Sequence, residues 1–212
     1  MDELEHDALT ELLNISVSRA AASLRTMIGR QVLLSVPAVA IVTQQTAMQM
    51  IGERESSTVV AVQQMFEGDL SGQALLIFPE TNSLELVRAV AGSMLSLEDI
   101  IDLEQEALAE TGNIILNGCL ATIANLLHRN LKISLPEILR GSGPGVFAQA
   151  GARTFEDAVL FLFIDFSVNE RDIRGYIAML MDLPALTSLK GLLGEFIRRA
   201  SDEGPATHHA QR

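Results

Sequence analysis

The amino-acid sequence predicts an α+β fold in which one unit occurs twice, antiparallel strands form a shared sheet, and two long helices carry polar residues. Three observations predict it. A stretch near the N-terminus recurs 99 residues later, strand-like runs follow each copy, and short turn-like segments connect those runs. Short connections favour antiparallel pairing, because a parallel crossover needs about a dozen residues or more. Each half is therefore predicted to contain a helix, three strands and a closing helix.

The repeat aligns residues 4–37 with residues 103–136 without a gap. Eleven of these 34 positions are identical, among them Glu11 with Glu110, Asn14 with Asn113, and Pro37 with Pro136. Two amphipathic helices share apolar positions because both pack on a core, but they have no such reason to share Glu, Asn and Pro at fixed offsets. We infer a duplication with repeats at 1–97 and 98–200, and we expect one domain with a common core and pseudo-twofold symmetry.

The individual elements are predicted from hydrophobic runs and turn signals. In the first half the strand-like runs are QVLLSVPAVAIV, STVVAVQQMFEG and LSGQALLIFPE, and the closing helix is NSLELVRAVAGSML. In the second half they are LKISLPEIL, DAVLFLFIDFSV and RGYIAMLMD, and the helix is ALTSLKGLLGEFIRRA. Polar stretches near 52–57 and at 140–151 are predicted to be loops, with GSGPG as a turn. The tail 201–212 lacks apolar periodicity, and we expect it to be disordered.

Composition excludes several classes of protein. The net charge of −12 and the pI of about 4.7 disfavour nucleic acid and anionic membrane surfaces as partners, because both are negatively charged. The single Cys119 precludes an internal disulfide, which fits a reducing compartment. The acidic N-terminus is unlike a signal peptide, and no apolar run approaches the roughly 18 residues of a membrane span. We therefore expect a cytoplasmic protein.

Both long helices are predicted to have one apolar and one polar face. The apolar faces comprise Leu9, Leu13, Val17, Ala20, Leu24 and Ile28 in the first helix, and Leu108, Leu116, Cys119, Ile123 and Leu127 in the second. The polar faces comprise Asp7, Glu11, Asn14 and Ser18, and Glu106, Glu110, Asn113 and Asn117. Each helix thus carries a carboxylate and a carboxamide three positions apart, with Cβ atoms about 5–6 Å from each other. This pattern alone predicts a surface site and no particular reaction.

The spacing of these residues resembles a known signature. In the first copy, Asp7, Glu11 and Asn14 are followed by twenty-two residues and Pro37; in the second copy, Glu106, Glu110 and Asn113 are followed by twenty-two residues and Pro136. The pattern Asp/Ser-x3-Glu-x2-Asn-x22-Pro resembles the signature of the CheC, CheX and FliY phosphatases of bacterial chemotaxis. The two copies are most like CheC. Two positions depart from it, since Glu106 replaces the shorter acid and Leu13 replaces the usual glycine.

The resemblance implies hydrolysis of the aspartyl phosphate of a CheY-like response regulator. Asn14 and Asn113 would orient the attacking water, and Glu11 and Glu110 would pair with the lysine of the receiver. The receiver would hold Mg²⁺, so the resemblance implies no cofactor in this chain. The surrounding residues are predicted to line the partner-binding surface: Asp7, Ser18, Glu106, Gly112 and Asn117. A CheD-like protein is a further partner that the resemblance suggests.

A second interpretation is a non-catalytic binding module for a receiver, a CheD-like protein or a flagellar switch component. Three other positions have structural interpretations. Pro37 and Pro136 are predicted to start or end strands, where a missing N–H is tolerated, and Cys119 is predicted to be a core thiol. Gly112 is predicted to allow close approach of another surface, which could belong to the partner or to the other half of this chain.

Overall fold

The computed structural model of the chain describes residues 1–29, 31–55, 57–91, 97–151, 158–168 and 171–202. The helices are α1 (Glu3–Ile28), α2 (Gln44–Arg54), α3 (Glu80–Ala91), α4 (Leu97–Leu126), α5 (Gly143–Gln149) and α6 (Leu183–Asp202). The strands are β1 (Val32–Thr43), β2 (Val59–Gly68), β3 (Gly72–Pro79), β4 (Leu131–Ile133), β5 (Glu137–Gly141), β6 (Ala158–Val168) and β7 (Arg171–Met181). The α+β class is confirmed.

The seven strands form one antiparallel sheet in the order β1-β6-β7-β3-β2-β4, with β5 also paired to β2. The strands of the two halves are interleaved. The first strand of the N-terminal half pairs with β6 of the other half, and β4 and β5 of the C-terminal half pair with β2. The centre of the sheet is the β3–β7 pair, which joins the halves. Neither half therefore has a complete sheet of its own.

Helices cover both faces of the sheet. The first apolar cluster combines α1, α3, α4 and α6 with one face, through side chains such as Leu13, Leu86, Leu116 and Leu193. The second cluster combines α2 and α5 with the opposite face, around Ile51, Phe147 and Phe161. Burial of these aliphatic side chains contributes about 25 cal/mol per Å² of apolar surface removed from water. The site-bearing helices α1 and α4 lie side by side on the same face of the sheet.

The predicted loops are wrong in part, because each half contains a short helix after its first strand. Residues 52–54 belong to the end of α2, and residues 143–149 form α5. The GSGPG turn begins this second helix: the Ser142 side chain accepts a hydrogen bond from the Gly145 N–H, and Pro144 stands in the first turn. Serine is favoured at the N-cap and proline in the first turn, where a missing N–H costs nothing.

The two prolines of the motif do not both lie at the strand ends where the sequence predicted them. Pro37 lies inside β1, where the pairing with β6 shifts register between Ser35 and Ala38. This is an edge strand, and a bulge on an edge tolerates the missing N–H. Pro136 separates β4 from β5, so the predicted single strand LKISLPEIL is interrupted. The prediction that both prolines start or end strands is therefore wrong for Pro37.

Two further predictions concern the boundary between the repeats and the C-terminal tail. The predicted boundary between the repeats, at 97/98, falls at the start of α4, and most of the predicted tail, 203–212, is outside the described residues. Within α4, the stretch Leu103–Leu126 is long and apolar enough to cross a membrane by length and composition, but 56% of its apolar 18-residue window is buried inside the fold. The core helix of a soluble protein passes the same test, so this stretch is weak grounds for a membrane span.

Candidate functional site

The helix α1 is specified by its two ends, and both site helices are specified by their apolar faces. At the start of α1, Asp2 and Glu5 form a reciprocal capping box, and Gly29 ends the helix with a left-handed φ of 68°. Both features satisfy backbone groups that a helix end leaves unpaired. The predicted apolar faces are confirmed, apart from Ile28, which is half-buried. These caps and faces fix which side chains of each helix point away from the core.

The helices α1 and α4 run in opposite directions and cross at small residues. A Cβ added to Gly118 would lie 3.1 Å from the Cα of Ala20. Leu9 and Leu12 line the same small apolar cavity as Leu120 and Ile123, so the start of α1 lies beside the end of α4. With a rise of 1.5 Å per residue, Asn14 and Asn113 lie on opposite sides of this crossing, about 16 Å apart along the helix pair. The two candidate sites are therefore separate.

The first site projects freely from α1. Asp7, Glu11 and Ser18 are exposed, and Asn14 is half-buried. Within the part of the chain that the structure describes, the Asn14 side chain makes no hydrogen bond. Its carboxamide oxygen and both of its N–H groups therefore remain available to water or to a partner.

The second site is tied to the sheet. Glu106 and Glu110 are exposed as predicted, but Asn113 and Asn117 are half-buried. The Oδ1 of Asn113 accepts two hydrogen bonds, one of 3.0 Å from the Nε2 of Gln64 on β2 and one of 2.7 Å from the Nδ2 of Asn117. Gln64 is fully buried, and its Nε2 also donates to the backbone carbonyl of Ser134 at 2.9 Å. Asn14, Asn113 and Asn117, all predicted to face solvent, are therefore only partly exposed.

The contact with Ser134 fixes the orientation of two side-chain amides. A backbone carbonyl can only accept, so the Gln64 atom beside it must be the nitrogen. That nitrogen also faces Asn113, so the Asn113 atom beside it must be the oxygen. Both lone pairs of Asn113 Oδ1 are then used by Gln64 and Asn117. The group that Asn113 can still offer to a ligand is its NH₂.

Gly112 brings α4 close to the sheet. A Cβ at this position would lie 2.5–2.6 Å from three side-chain atoms of Val62 on β2. Real Cβ atoms do not approach other atoms so closely, so any side chain here would push the helix outward. The close approach predicted for Gly112 is thus made to the other half of this chain. Its predicted role in binding a partner stays a prediction.

The strand pairings identify the positions of the other half that are equivalent to Val62 and Gln64. Ile133 pairs with Phe66 and Ile138 pairs with Val62, while their repeat equivalents Leu34 and Val39 pair with Phe166 and Leu162. Ile164 therefore corresponds to Gln64, and Leu162 corresponds to Val62. Gln64 is a residue that the sequence prediction missed. Its signal is a polar residue at an inward position of the alternation Val60, Val62, Gln64, Phe66.

Cys119 lies at the helix crossing and takes no part in either site. The prediction of a core thiol is confirmed, because the side chain is 1% exposed. Burial raises the pKa of the Cys119 thiol to about 12, because a thiolate is poorly solvated among apolar side chains. The thiol is therefore protonated and unreactive at neutral pH.

Comparisons with known proteins agree with the motif. No family model matches the chain. The CheY-P phosphatase CheC of Bacillus subtilis is 23% identical over 199 residues, which cover 91% of this chain and 95% of that protein. The structure resembles Thermotoga maritima FliY, with a TM-score of 0.71, 18% identity and coverage of 92% of this chain and 98% of that one. The chain is thus similar in sequence to CheC and in fold to FliY and CheX.

The CheX representative is a more distant neighbour of the same fold. The chemotaxis protein CheX of Desulfovibrio desulfuricans matches with a TM-score of 0.52 and 19% identity, covering 80% of this chain and 99% of that one. At such identities a structural match shows the fold alone. Any role for individual residues of this chain must therefore be argued from the geometry of its own two candidate sites.

Proposed function

We propose that this chain is a phosphatase that hydrolyses the aspartyl phosphate of a CheY-like response regulator. The observation that carries the proposal is the Glu-x-x-Asn motif on both α1 and α4, with the two glutamates exposed and the two asparagines half-buried. The similarity to CheC along 91% of the chain supports it. The acidic surface also fits a protein partner better than a nucleic acid or an anionic membrane.

The reaction requires little covalent chemistry from this chain. A water molecule attacks the phosphorus in line with the bond to the aspartate oxygen, that bond breaks, and the aspartate leaves as a carboxylate. The charge on the phosphoryl oxygens would be neutralised within the receiver, which would bind Mg²⁺. The task of the phosphatase is then to orient the water, which is a positional contribution. A carboxamide suits this task because it can both accept and donate hydrogen bonds.

Each motif residue has one proposed role. Asn14 and Asn113 orient water, while Glu11 and Glu110 pair with the lysine of the receiver and set the register of the helix. The two glutamates are exposed, so their carboxylates can reach a partner. The residues proposed to contact the partner around them are Asp7, Ser18 and Glu106, joined by Asn117. A charge-assisted bond to lysine is stronger than a neutral one, which suits registration.

The test mixes the chain with a phosphorylated receiver and follows the loss of phosphate. We expect Asn14→Ala and Asn113→Ala each to slow hydrolysis and the double variant to abolish it. Asn125→Ala is the matched control, because Asn125 is an exposed asparagine near the end of α4, outside the motif. Hydrolysis by the double variant at the wild-type rate would contradict the mechanism. Binding without acceleration by the wild type would favour the non-catalytic binding module.

A further inference from the structure

The two halves differ at the strand position that Gln64 occupies. Under Asn113, the buried Gln64 donates from Nε2 at 3.0 Å and is itself held by the Ser134 carbonyl at 2.9 Å. At the equivalent position of the first site stands Ile164, which is 2% exposed and has no polar atom in its side chain. A buried glutamine amid an apolar core costs free energy unless it is hydrogen-bonded. Its bond to Asn113 is therefore a specific feature of the second site.

We infer that Gln64 is a positioning residue of the second site, which holds the Asn113 carboxamide with its oxygen toward the sheet and its NH₂ toward the partner. The inference rests on the proposed phosphatase function for its catalytic consequence. Gln64 itself is buried and does not reach the partner. Gln64 acts through Asn113. It restricts the rotation of the Asn113 carboxamide about the side-chain bonds of Asn113.

This orientation changes how the second site can handle water. With both lone pairs of Asn113 Oδ1 occupied by Gln64 and Asn117, a water at this site binds through its oxygen to the Nδ2 of Asn113. The water keeps its other lone pair for attack on phosphorus, and its protons point away from Asn113. Asn14 lacks such ties and can either donate to water or accept from it. The second site is thus pre-organised and selective for a hydrogen-bond acceptor, while the first is adaptable.

The kinetic test isolates each site before Gln64 is changed. In an Asn14→Ala chain only the second site can act, and in an Asn113→Ala chain only the first. We expect Gln64→Met, which keeps the volume and removes the donor, to lower kcat by roughly 10- to 100-fold in the first background. The KM for the phosphorylated receiver should stay unchanged there, because Gln64 does not contact the partner. In the Asn113→Ala background, Gln64→Met should change neither constant.

The matched control is Gln63→Met. Gln63 is a neighbouring buried glutamine on β2, and it bonds to Gln73 at 3.0 Å on the sheet face away from α4. We expect this variant to leave kcat unchanged in both backgrounds. An equal loss from Gln64→Met in both backgrounds would reduce Gln64 to a structural residue and overturn the inference. An unchanged kcat in the Asn14→Ala background would overturn it as well.

A second measurement does not depend on catalysis. The order parameter of the side-chain amide, measured by ¹⁵N relaxation, should be higher for Asn113 than for Asn14 in the wild-type chain. It should fall for Asn113 in Gln64→Met and stay high in Gln63→Met. Equal order parameters for the two asparagines would contradict the inference. A chain that shows the expected order parameters but no phosphatase activity would instead refute the proposed function and leave the positioning contact in place.

Discussion

The two sites share the spacing Glu-x-x-Asn but differ in the contacts that their asparagines make. In the second site, Gly112 lets α4 approach β2 until Asn113 reaches Gln64. In the first site, the buried Leu13 occupies the position of that glycine, and the main contact of α1 with the sheet is to β1. The bond between Asn113 and the sheet thus depends on two positions, the helix residue before the asparagine and the strand residue that donates to it.

The comparison teaches that a duplicated motif need not give duplicated sites. The motif fixes which residues face outward, because helical periodicity is the same in both copies. The freedom of the asparagine side chains to rotate depends on residues outside the motif. These are Leu13 or Gly112 in the helix and, at the equivalent strand positions, Ile164 or Gln64. Four variants, ordered from the largest expected effect to the smallest, test this difference between the two sites.

The largest effect is expected from Leu13→Ala. Leu13 is 1% exposed, and truncating a buried leucine costs about 2–5 kcal/mol through lost burial and a residual cavity. The free energy of unfolding in urea should fall by that amount. Leu4→Ala is the control, because Leu4 is an exposed leucine of the same helix and should cost less than about 0.5 kcal/mol. Similar losses for the two variants would remove the packing difference on which the comparison depends.

Gly112→Ala tests the close approach of α4. In an open helix position this change stabilises by about 1 kcal/mol, but here the added methyl group overlaps Val62, and overpacking costs about 1–3 kcal/mol. We expect a net loss of about 1 kcal/mol, partly restored by Val62→Ala in the double variant. Gly191→Ala on α6 is the control with nothing within 4 Å of its Cβ, and it should stabilise the fold. A gain in stability from Gly112→Ala would show that α4 is not held close.

The asparagines test the functional side of the comparison. We expect Asn113→Ala to lower the rate of receiver dephosphorylation more than Asn14→Ala, by about tenfold, because Asn113 is already held in one orientation. The measurement is the initial rate at saturating phosphorylated receiver. Equal losses would mean that pre-organisation has no value here, and a larger loss from Asn14→Ala would make the adaptable site the main one.

Much of this arrangement could be predicted from the sequence. The repeat, the faces of α1 and α4 and five of the seven strands follow from periodicities that extend over many residues. The short helices α2 and α5 could not be predicted in this way. In particular, α5 is only one or two turns long and begins with residues typical of a turn, Ser142 and Pro144. The network around Asn113 could not either, because it joins residues separated by 49 and 70 positions.

Aligned residues can also differ in role. Glu5 and Glu104 are identical in the repeat, yet Glu5 closes the exposed cap of α1. Glu104 is buried, and it pairs with Arg140 at 2.8 Å and accepts a hydrogen bond from Ser83 at 3.2 Å. The sequence shows a conserved spacing within the chain but not which neighbours a side chain meets. Those neighbours are set by tertiary packing, which differs between the copies.

The smallest effect at neutral pH is expected from Cys119→Ala, which gives α4 the residue that α1 has at Ala20. The loss of one sulfur should cost less than about 1 kcal/mol. The pH dependence is more informative, because burial raises the pKa of Cys119 from 9.0 to about 12. In the unfolded chain the thiol ionises near pH 9, so its contribution to stability is complete below that pH and is lost as the pH rises toward 12. Urea unfolding of both chains across this range should show a steeper decline for the wild type, and parallel declines would show that the thiol is not buried at the helix crossing.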